Sequence, residues 1–426
     1  MTGWRETTTG DLLKRGVIEI GDGYRAKNSE FVTHGGLPFV RVADVSTTIR
    51  LDGLDELPIE KMSKYRPKVS RPFDSLITMK GTVGRVAYVK AWERPFVYSP
   101  QMSYWRSHDP DQVNPRWLRY WLESPEFRAQ ASATKGATDM ADYINLRDQR
   151  RMRITLPPQE VQARVAEVIG SFDDLIENNR RRIELLEYMV QAIYREWFVH
   201  FRFPGHQDTT VVDSALGPIP AGWEVKPLGA LATLDRSSVH PRRSPDETFD
   251  HYSIPAFDDG QLPVLDKGEA IKSGKFSLTG PAVMVSKLNP RIERTWFVEP
   301  MGDRRSVAST EFLVIRPKTE FPLEFLYLLA RSTNFQQRMR ELSGGTSTSH
   351  QRAKPNDFLQ IDVLSPPAVL ADRLAELVAS PLRMTRVLRV EGRKLVAIRD
   401  LLLPKLVTGQ IDVSELDLVA VVESVA

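Results

Sequence analysis

Residues 156–158, Leu-Pro-Pro, stand before a long run of periodically spaced apolar residues, and residues 365–367, Ser-Pro-Pro, stand before a second such run 209 residues later. A second match lies upstream, where Gly3-Trp4 and Gly222-Trp223 are each followed, at the same spacing, by a glycine and then a leucine. The chain therefore reads as two tandem copies of one unit, each a globular part followed by a long helix. Two similar units on one chain predict a target that also has two parts.

The composition is that of an ordinary globular protein with two or three domains: 426 residues, of which 41% are hydrophobic and 27% charged. The lack of cysteine excludes disulfides, thiolate metal sites and cysteine nucleophiles. No stretch approaches 18 consecutive apolar residues and residues 1–6 do not resemble a signal peptide, so we expect a soluble, cytoplasmic protein. The net charge of +3 is by itself only weak support for a polyanionic partner.

Both globular parts are predicted to have a strand-rich α+β fold. Short β-type runs such as 76–79, 85–89 and 283–285 are separated by glycine, proline, aspartate and asparagine turn residues. Each part also contains an apolar stripe at helical spacing, which predicts a helix over Pro115–Arg128 in the first copy and over Pro322–Phe335 in the second.

The apolar run after each proline pair has spacings that alternate between four and three residues. Over roughly 40 residues this pattern predicts two helices of about 60 Å, each with one stripe to bury against a partner helix. The positions predicted for the helix-pair and partner interface are Phe172, Leu175, Asn179, Ile183, Leu186 and Trp197 in the first run, and Leu377, Met384, Leu388 and Leu395 in the second. The polar Asn179 either fixes the register of the pair or faces solvent.

The second helix is predicted to be broken or bent. Pro381 falls in the middle of its run, Pro404 falls near its end, and Gly392 weakens it further. The first helix has its proline pair at the start, so we expect it to be continuous. The polar, turn-rich residues 206–221 are predicted to link the two units.

Several loops combine cations with turn residues. Basic residues crowd residues 61–94 among interleaved aromatics, which fits either a solvated sheet edge or a nucleic-acid surface. Residues 80–85 and 287–291 each place two cations around a tight turn, which suits phosphate or a guanine edge, although an ordinary hairpin turn is the alternative. Residues 134–139 and 343–354 offer hydroxyls, a glutamine and cations, the alternative being a surface loop.

From these loops we predict a set of DNA-binding residues, in which the paired arginines 304 and 305 are the weaker candidates. The set consists of Lys64, Arg66, Lys68, Lys80, Thr82, Arg85, Lys135, Thr138, Lys287, Asn289, Arg291, Arg304, Arg305, Thr346, Ser347, Ser349, His350, Gln351, Arg352 and Lys354.

Catalytic motifs are missing from the sequence. It has no Asp/Asn-Pro-Pro-Tyr/Phe tetrapeptide, no glycine-rich adenosyl loop after a strand, no P-loop and no Gly-x-Ser-x-Gly. The seven histidines show no metal-ligand spacing. We therefore expect no catalytic residues, no metal and no bound cofactor in this chain.

The central block of the chain closely resembles the specificity subunits of type I restriction-modification systems. The resemblance rests on Leu156-Pro157-Pro158, on residues 172–187 (FDDLIENNRRRIELLE) and on residues 194–206 (YREWFVHFRFPGH). Residues 217–224 (GPIPAGWE) resemble the entry to that family's second recognition domain, and residues 402–411 (LLPKLVTGQI) resemble its closing segment.

The resemblance implies two similar target recognition domains separated by a pair of long antiparallel helices, a coiled-coil spacer with a pseudo-twofold internal repeat. It assigns residues 1–155 to the first recognition domain, 156–205 to the central helix, 206–221 to the linker, 222–364 to the second recognition domain, 365–412 to the C-terminal helix and 413–426 to a tail. Each domain would read one half of a bipartite, asymmetric site in double-stranded DNA, and the helices would set the spacer.

The resemblance also implies partners. The helices would dock two methylation subunits, and motor-nuclease restriction subunits would complete the complex, with S-adenosylmethionine, ATP and Mg²⁺ bound by those partners. Three alternatives stay open: a specificity subunit whose partner fuses methylase and nuclease, a stand-alone DNA-modifying enzyme, and a coiled-coil scaffold with no nucleic-acid role. The missing motifs argue against the second, and the paired basic loops argue against the third.

Overall fold

The computed structural model describes residues 3–46, 48–80, 83–133, 144–300, 302–318, 321–342 and 351–413. The chain forms two compact units. The first consists of Met1–Ile176 with Lys394–Ala426, and the second consists of Glu177–Arg393. Both units mix strands with helices, which confirms the predicted α+β class.

The helices fall into two classes, two of forty residues and the rest of nine residues or fewer. In chain order the described α-helices are α1 (Thr9–Lys14), α2 (Pro115–Glu123), α3 (Pro125–Ala133), α4 (Leu146–Gln149), α5 (Gln159–Phe198), α6 (Leu228–Leu231), α7 (Ile254–Asp258), α8 (Leu323–Arg331), α9 (Thr333–Glu341), α10 (Pro355–Leu359) and α11 (Ala368–Val407).

The strands of the first unit form one antiparallel sheet, one mixed sheet and one short pair. They are β1 (Arg5–Thr8), β2 (Ile18–Asp22), β3 (Gly36–Val40), β4 (Glu56–Pro58), β5 (Ser75–Thr78), β6 (Val86–Tyr88), β7 (Val97–Tyr98), β8 (Met102–Ser107) and β9 (Arg153–Leu156). The strand orders are β2-β8-β5-β6 and β4-β3-β7, and β1 pairs with β9 in antiparallel register from Arg5 opposite Leu156 to Thr8 opposite Arg153. The predicted strands at 76–79 and 85–89 are therefore confirmed as β5 and β6.

The second unit has larger sheets and a similar short pair. Its strands are β10 (Val211–Val212), β11 (Ile219–Pro220), β12 (Glu224–Pro227), β13 (Ala232–Asp235), β14 (Ser238–Val239), β15 (Thr248–Tyr252), β16 (Val264–Lys267), β17 (Lys275–Leu278), β18 (Ala282–Ser286), β19 (Thr295–Val298), β20 (Ser306–Ala308), β21 (Phe312–Pro317) and β22 (Asp362–Ser365). The sheet orders are β13-β21-β18-β19 and β14-β17-β20-β15-β16, with β10 beside β11 and β12 beside β22.

The second helix was predicted to be broken or bent, and the prediction of a break is wrong. α11 runs without interruption from Ala368 to Val407. Pro381 removes one backbone hydrogen bond, but Leu374, Val378 and Leu382 are all buried on either side of it. Burial of this stripe offsets the proline, whose cost in a helix interior is about 3 kcal/mol.

The buried stripe of α11 lies one residue later than predicted around Pro381. Leu377 and Met384 are exposed, whereas Val378 and Thr385 are buried. The Thr385 hydroxyl donates to the Pro381 carbonyl oxygen at 3.0 Å, which satisfies its polar group inside the stripe. A single heptad phase carried through the whole helix does not describe this stretch.

The two shorter predicted helices are each divided in two, which corrects their predicted extents. In the first unit Ser124, extended at ψ 158° before Pro125, separates α2 from α3, because the residue before a proline disfavours the helical conformation. In the second unit Ser332 is extended at ψ 147°, and its side chain caps α9 by accepting from the Phe335 N–H.

The tryptophan of each Gly-Trp motif packs against residues at the end of a long helix or just after it. In the second unit the Trp223 ring lies 5.5 Å from the Phe198 ring at the end of α5 and 5.3 Å from the Phe201 ring. In the first unit Trp4 lies against Gly409, which follows α11 and has φ +70°. A Cβ at Gly409 would come within 2.7 Å of the indole, so this close approach requires glycine.

Candidate nucleic-acid interface

The structure brings two predicted loops of the second unit together. The Asn289 N–H donates to the Gln351 carbonyl oxygen at 2.9 Å, and the Ala353 N–H donates to the Lys287 carbonyl oxygen at 3.0 Å. Leu288 and Arg352 form an antiparallel bridge. Asn289 has φ +50°, a conformation that asparagine tolerates better than most residues. The loops at 287–291 and 351–353 thus form one surface.

Next to these loops lies an open depression of about 700 Å³. It is lined by Arg291 and Gln351 from the loops and by Gln337, Arg340 and Glu341 from α9. Arg291, Gln337 and Arg340 are exposed, and Glu341 is the only acidic residue of the lining. A polar, mainly basic depression of this kind suits phosphates and base edges.

Some predicted cations are already paired within the second unit. The Arg352 guanidinium binds both carboxylate oxygens of Glu311, at 3.0 and 3.2 Å. Arg304 pairs with the buried Asp250 at 3.1 Å, and Arg305 pairs with Glu247 at 3.1 Å. Of the remaining candidates, Lys287 is partly buried, and Lys354, like Arg291, is exposed.

The candidates of the first unit lie on two separate features. Lys64, Arg66 and Lys68 lie on short 3₁₀ turns, where Lys68 pairs with Asp22 at 2.5 Å. Lys80 is exposed just after β5, and Arg85 is exposed just before β6. The Arg85 guanidinium donates to the Val45 carbonyl oxygen at 3.1 Å. Within the described part of this unit, no hydrogen bond or ion pair joins the two groups.

Seven predicted residues lie outside the described residues, so the structure gives no position for them. They are Thr82, Lys135, Thr138, Thr346, Ser347, Ser349 and His350.

The first unit also has an open cavity of about 610 Å³ whose lining is rich in arginine. Four arginines line it, Arg85, Arg119, Arg128 and Arg399, together with Glu123 and Asp400. Burial raises the pKa of the Glu123 carboxyl and outweighs the opposite effect of the nearby Arg119. Arg119 and Arg399 are both held by Asp173, at 2.9 and 3.0 Å, so Arg85 and Arg128 are the exposed cations here.

A smaller cavity of about 120 Å³ occupies the matching sequence positions of the second unit. Six lining positions correspond at the 209-residue offset of the sequence. The pairs are Arg119 with Leu328, Glu123 with Ser332, Pro125 with Asn334, Asp400 with Gln191, Leu403 with Tyr194, and Pro404 with Arg195. The same places in the two units therefore carry different chemistry.

The predicted helix-interface residues have three kinds of surroundings. Phe172, Asn179, Leu388 and Leu395 are buried, Leu175, Ile183, Leu186 and Trp197 are partly buried, and Leu377 and Met384 are exposed. The Asn179 amide nitrogen is buried without a hydrogen-bond partner in the part of the chain that the structure describes. In the first unit Asp173 of α5 pairs with Arg399 of α11, and in the second Glu187 of α5 pairs with Arg389 of α11.

Sequence reasoning missed the α9 and α2–α3 side chains that line these cavities. Arg128 was included in a predicted helix only for its buried stripe, whereas Gln337 and Arg340 lie beyond Phe335, where the second predicted helix ended. Such positions can be predicted from sequence, because polar residues at helical spacing opposite an apolar stripe mark the exposed face of a helix.

Neither a membrane-spanning helix nor a metal-binding cluster occurs among the described residues. No described helix is long and apolar enough to cross a membrane. No group of three or more His, Asp or Glu side chains in the described ranges is arranged to hold a metal ion.

Comparisons with known proteins point to one family. Residues 3–188 match the family model for the type I restriction modification DNA specificity domain. The chain is 27% identical over 281 residues to the type I restriction enzyme MjaIX specificity subunit of Methanocaldococcus jannaschii, covering 63% of this chain and 62% of that protein. It is 23% identical over 324 residues to the HindI specificity subunit of Haemophilus influenzae, covering 61% of this chain and 69% of that protein.

A solved structure shows the same fold. The type I restriction-modification S subunit from M. genitalium aligns over 95% of this chain and 96% of its own, with a TM-score of 0.59 and 14% identity. These matches are all to specificity subunits or specificity domains of type I restriction-modification systems. Residues 3–188 thus match the DNA specificity domain of type I restriction-modification systems, and the chain is similar to type I specificity subunits. It spans slightly less than two thirds of the length of the M. jannaschii relative.

Proposed function

We propose that the chain is the DNA sequence-specificity subunit of a type I restriction-modification complex, and that each unit reads one half of a bipartite, asymmetric site. In this proposal the chain itself is not catalytic. Two methylation subunits and the motor-nuclease restriction subunits bind S-adenosylmethionine, ATP and Mg²⁺ and carry out the chemistry.

The observation that carries this proposal is the equivalence of the two units combined with their different surfaces. In each unit a strand that follows the Gly-Trp motif pairs in antiparallel register with the strand before a long helix: β1 with β9, and β12 with β22. The cavities occupy matching positions, yet their side chains differ: Arg119 and Glu123 in the first correspond to Leu328 and Ser332 in the second, and Pro404 corresponds to Arg195. Two units with similar strand pairing but different surface side chains are suited to two half-sites of different sequence, because side chains select the bases.

We assign the long helices to the spacer. Asp173 pairs with Arg399, whereas the later residue Glu187 pairs with the earlier residue Arg389. This reversal of order supports an antiparallel arrangement of α5 and α11. Helices of forty residues span about 60 Å, a length suited to fixing the separation of two contacts on DNA.

We assign the exposed apolar residues of these helices to the docking of methylation subunits. Leu185 and Tyr188 of α5 are 67% and 64% exposed, and Leu377 and Val387 of α11 are 51% and 57% exposed. Apolar side chains so exposed on one pair of helices are typical of a protein–protein interface. Tyr188→Asp should weaken co-purification with a methylation subunit at least tenfold, because it places a charge in an apolar contact.

The matched control for docking is Val211→Asp, since Val211 is 66% exposed but lies outside the helices. Equal retention of the methylation subunit by wild type and Tyr188→Asp would remove the helices from the docking surface.

Domain exchange tests the reading function. When residues 1–155 are replaced by the first recognition domain of another family member, the complex should methylate a site that is altered in only one half. A change in both halves, or in neither, would contradict the assignment of one half-site to each unit.

A further inference from the structure

The depression beside the two joined loops of the second unit contains one polar atom that the fold leaves unsatisfied. The Gln351 carboxamide oxygen is buried and accepts no hydrogen bond from any described residue. Its backbone is fixed, because the Gln351 carbonyl accepts from the Asn289 N–H and the neighbouring Arg352 is held by Glu311. A buried acceptor without a donor costs about 1–3 kcal/mol, so an unpaired oxygen at this position points to a ligand.

The side chain can turn its oxygen toward the depression. The terminal torsion of glutamine is broad and roughly two-fold, so a half-turn exchanges the positions of Oε1 and Nε2. A half-turn alone leaves the nitrogen in the buried position, so rotation about the earlier side-chain torsions is also needed for the carboxamide to present its acceptor and its donor together to a ligand in the depression. Asparagine and glutamine use this donor and acceptor pair to bind N6 and N7 of adenine in the major groove.

The charges around Gln351 fit a nucleic-acid strand. Arg291 is exposed and is not held by any hydrogen bond or ion pair within the described residues, and Arg340 also lines the depression. Cations that flank a base-reading side chain position the duplex through its phosphates, whereas the side chain selects the base.

We propose that Gln351 recognises an adenine base in the half-site read by the second unit, with Arg291 contacting an adjacent phosphate. This inference rests on the proposed function and assigns one base of the target. It also separates two residues of one surface by role: Gln351 determines specificity, and Arg291 supplies affinity that does not depend on sequence.

The test uses the full chain in complex with its methylation subunits and a random duplex library, from which bound sequences are selected and counted. Gln351→Ala should reduce the preference for adenine at one position of one half-site by about 5- to 100-fold and leave the other positions unchanged. Gln351→Glu should shift that position toward cytosine, because a carboxylate accepts from the cytosine N4 amino group but cannot donate to adenine N7. Arg291→Ala should weaken binding to all sequences alike and lower the salt slope by about one.

The matched control is Gln360→Ala, since Gln360 is exposed in the same unit but outside the depression; its selected motif should equal that of wild type. An unchanged motif in both Gln351 variants would overturn the base assignment while leaving the proposed function intact. A wild-type complex that selects no duplex sequence at all would overturn the proposed function, and the assignment with it.

Discussion

A buried ion pair holds the strands of the first unit together. Asp74 is fully buried; its carboxylate accepts from the Arg106 guanidinium at 2.6 and 2.7 Å and from the Tyr98 hydroxyl at 2.5 Å. Removing one partner of a buried pair leaves the other charge uncompensated. Asp74→Ala should therefore lower the free energy of unfolding by about 3–5 kcal/mol, measured by chemical denaturation.

The control for Asp74→Ala is a substitution in an ion pair that is largely exposed. Asp22 pairs with Lys68 at 2.5 Å, but its side chain is 43% exposed. Asp22→Ala should cost less than about 1 kcal/mol. Similar losses for the two variants would show that the Asp74 pair is not the buried anchor that the geometry indicates.

Histidine 251 is expected to make the second unit sensitive to mild acid. Burial lowers its pKa and Lys275 lowers it further, and these effects outweigh the hydrogen bond to Asp266 at 2.8 Å. Since the folded pKa lies below the usual value, the unfolded chain binds more protons below about pH 6.5. This contribution to stability is complete above that pH and declines as the pH falls toward the folded pKa, with a slope of at most about 1.4 kcal/mol per pH unit.

Denaturation at pH 7.5 and pH 5.5 measures this effect when wild type is compared with His251→Gln. The variant should lose less stability than wild type between the two values. Parallel losses would show that His251 titrates with an ordinary pKa in the folded protein.

Glycine 392 is a weak point in an otherwise continuous helix. It lies inside α11 with φ in the ordinary negative range, and a Cβ there would meet no atom within 4 Å. Gly392→Ala should therefore stabilise the protein by about 0.5–1 kcal/mol, because alanine removes backbone freedom from the unfolded chain. The measurement is the midpoint of chemical unfolding.

Gly409→Ala is the opposite case, because its φ is +70° and the Trp4 ring lies 2.7 Å from the added Cβ. It should destabilise the first unit. If both alanine substitutions were stabilising, the Trp4 contact would not require glycine.

At the scale of elements, the spacing of apolar residues predicted the helices and strands better than the positions of proline predicted helix breaks. The α+β class, the strands at β5, β6 and β18 and the long helix α5 all follow from patterns that local residues control. The continuity of α11 through Pro381 does not, because it depends on buried contacts of Val378 and Leu382 with residues distant in sequence. The same contacts shift the stripe to Thr385, where a hydroxyl finds a partner that no sequence pattern announces.

The candidate site was predictable only in part. Turn chemistry indicated the loops at 287–291 and 351–354, but their joining through the Asn289–Gln351 hydrogen bond is a tertiary contact. Ion pairs between residues far apart in the sequence also decide which cations are already neutralised. Glu311, for example, neutralises Arg352. Gln337 and Arg340 of α9 lie beyond Phe335, where the predicted helix ended, so the sequence pattern assigned them no helical face.

At the scale of the whole molecule, the two units are expected to contribute unequally to salt-dependent DNA binding. The first globular part carries the denser run of basic residues, and Lys80 lies exposed within it, whereas Lys287 is partly buried. Each phosphate contact contributes about 0.9 to the slope of log affinity against log salt. Lys80→Ala should reduce that slope more than Lys287→Ala, measured by titrations at several salt concentrations, and equal reductions would remove the asymmetry.

The most direct test of the central claim is to map methylated adenines across the genome of a host that expresses the complete system. Two units that each read a half-site predict a split motif, with two short specified segments separated by a fixed number of unspecified bases. A single continuous motif with no spacer would contradict the account.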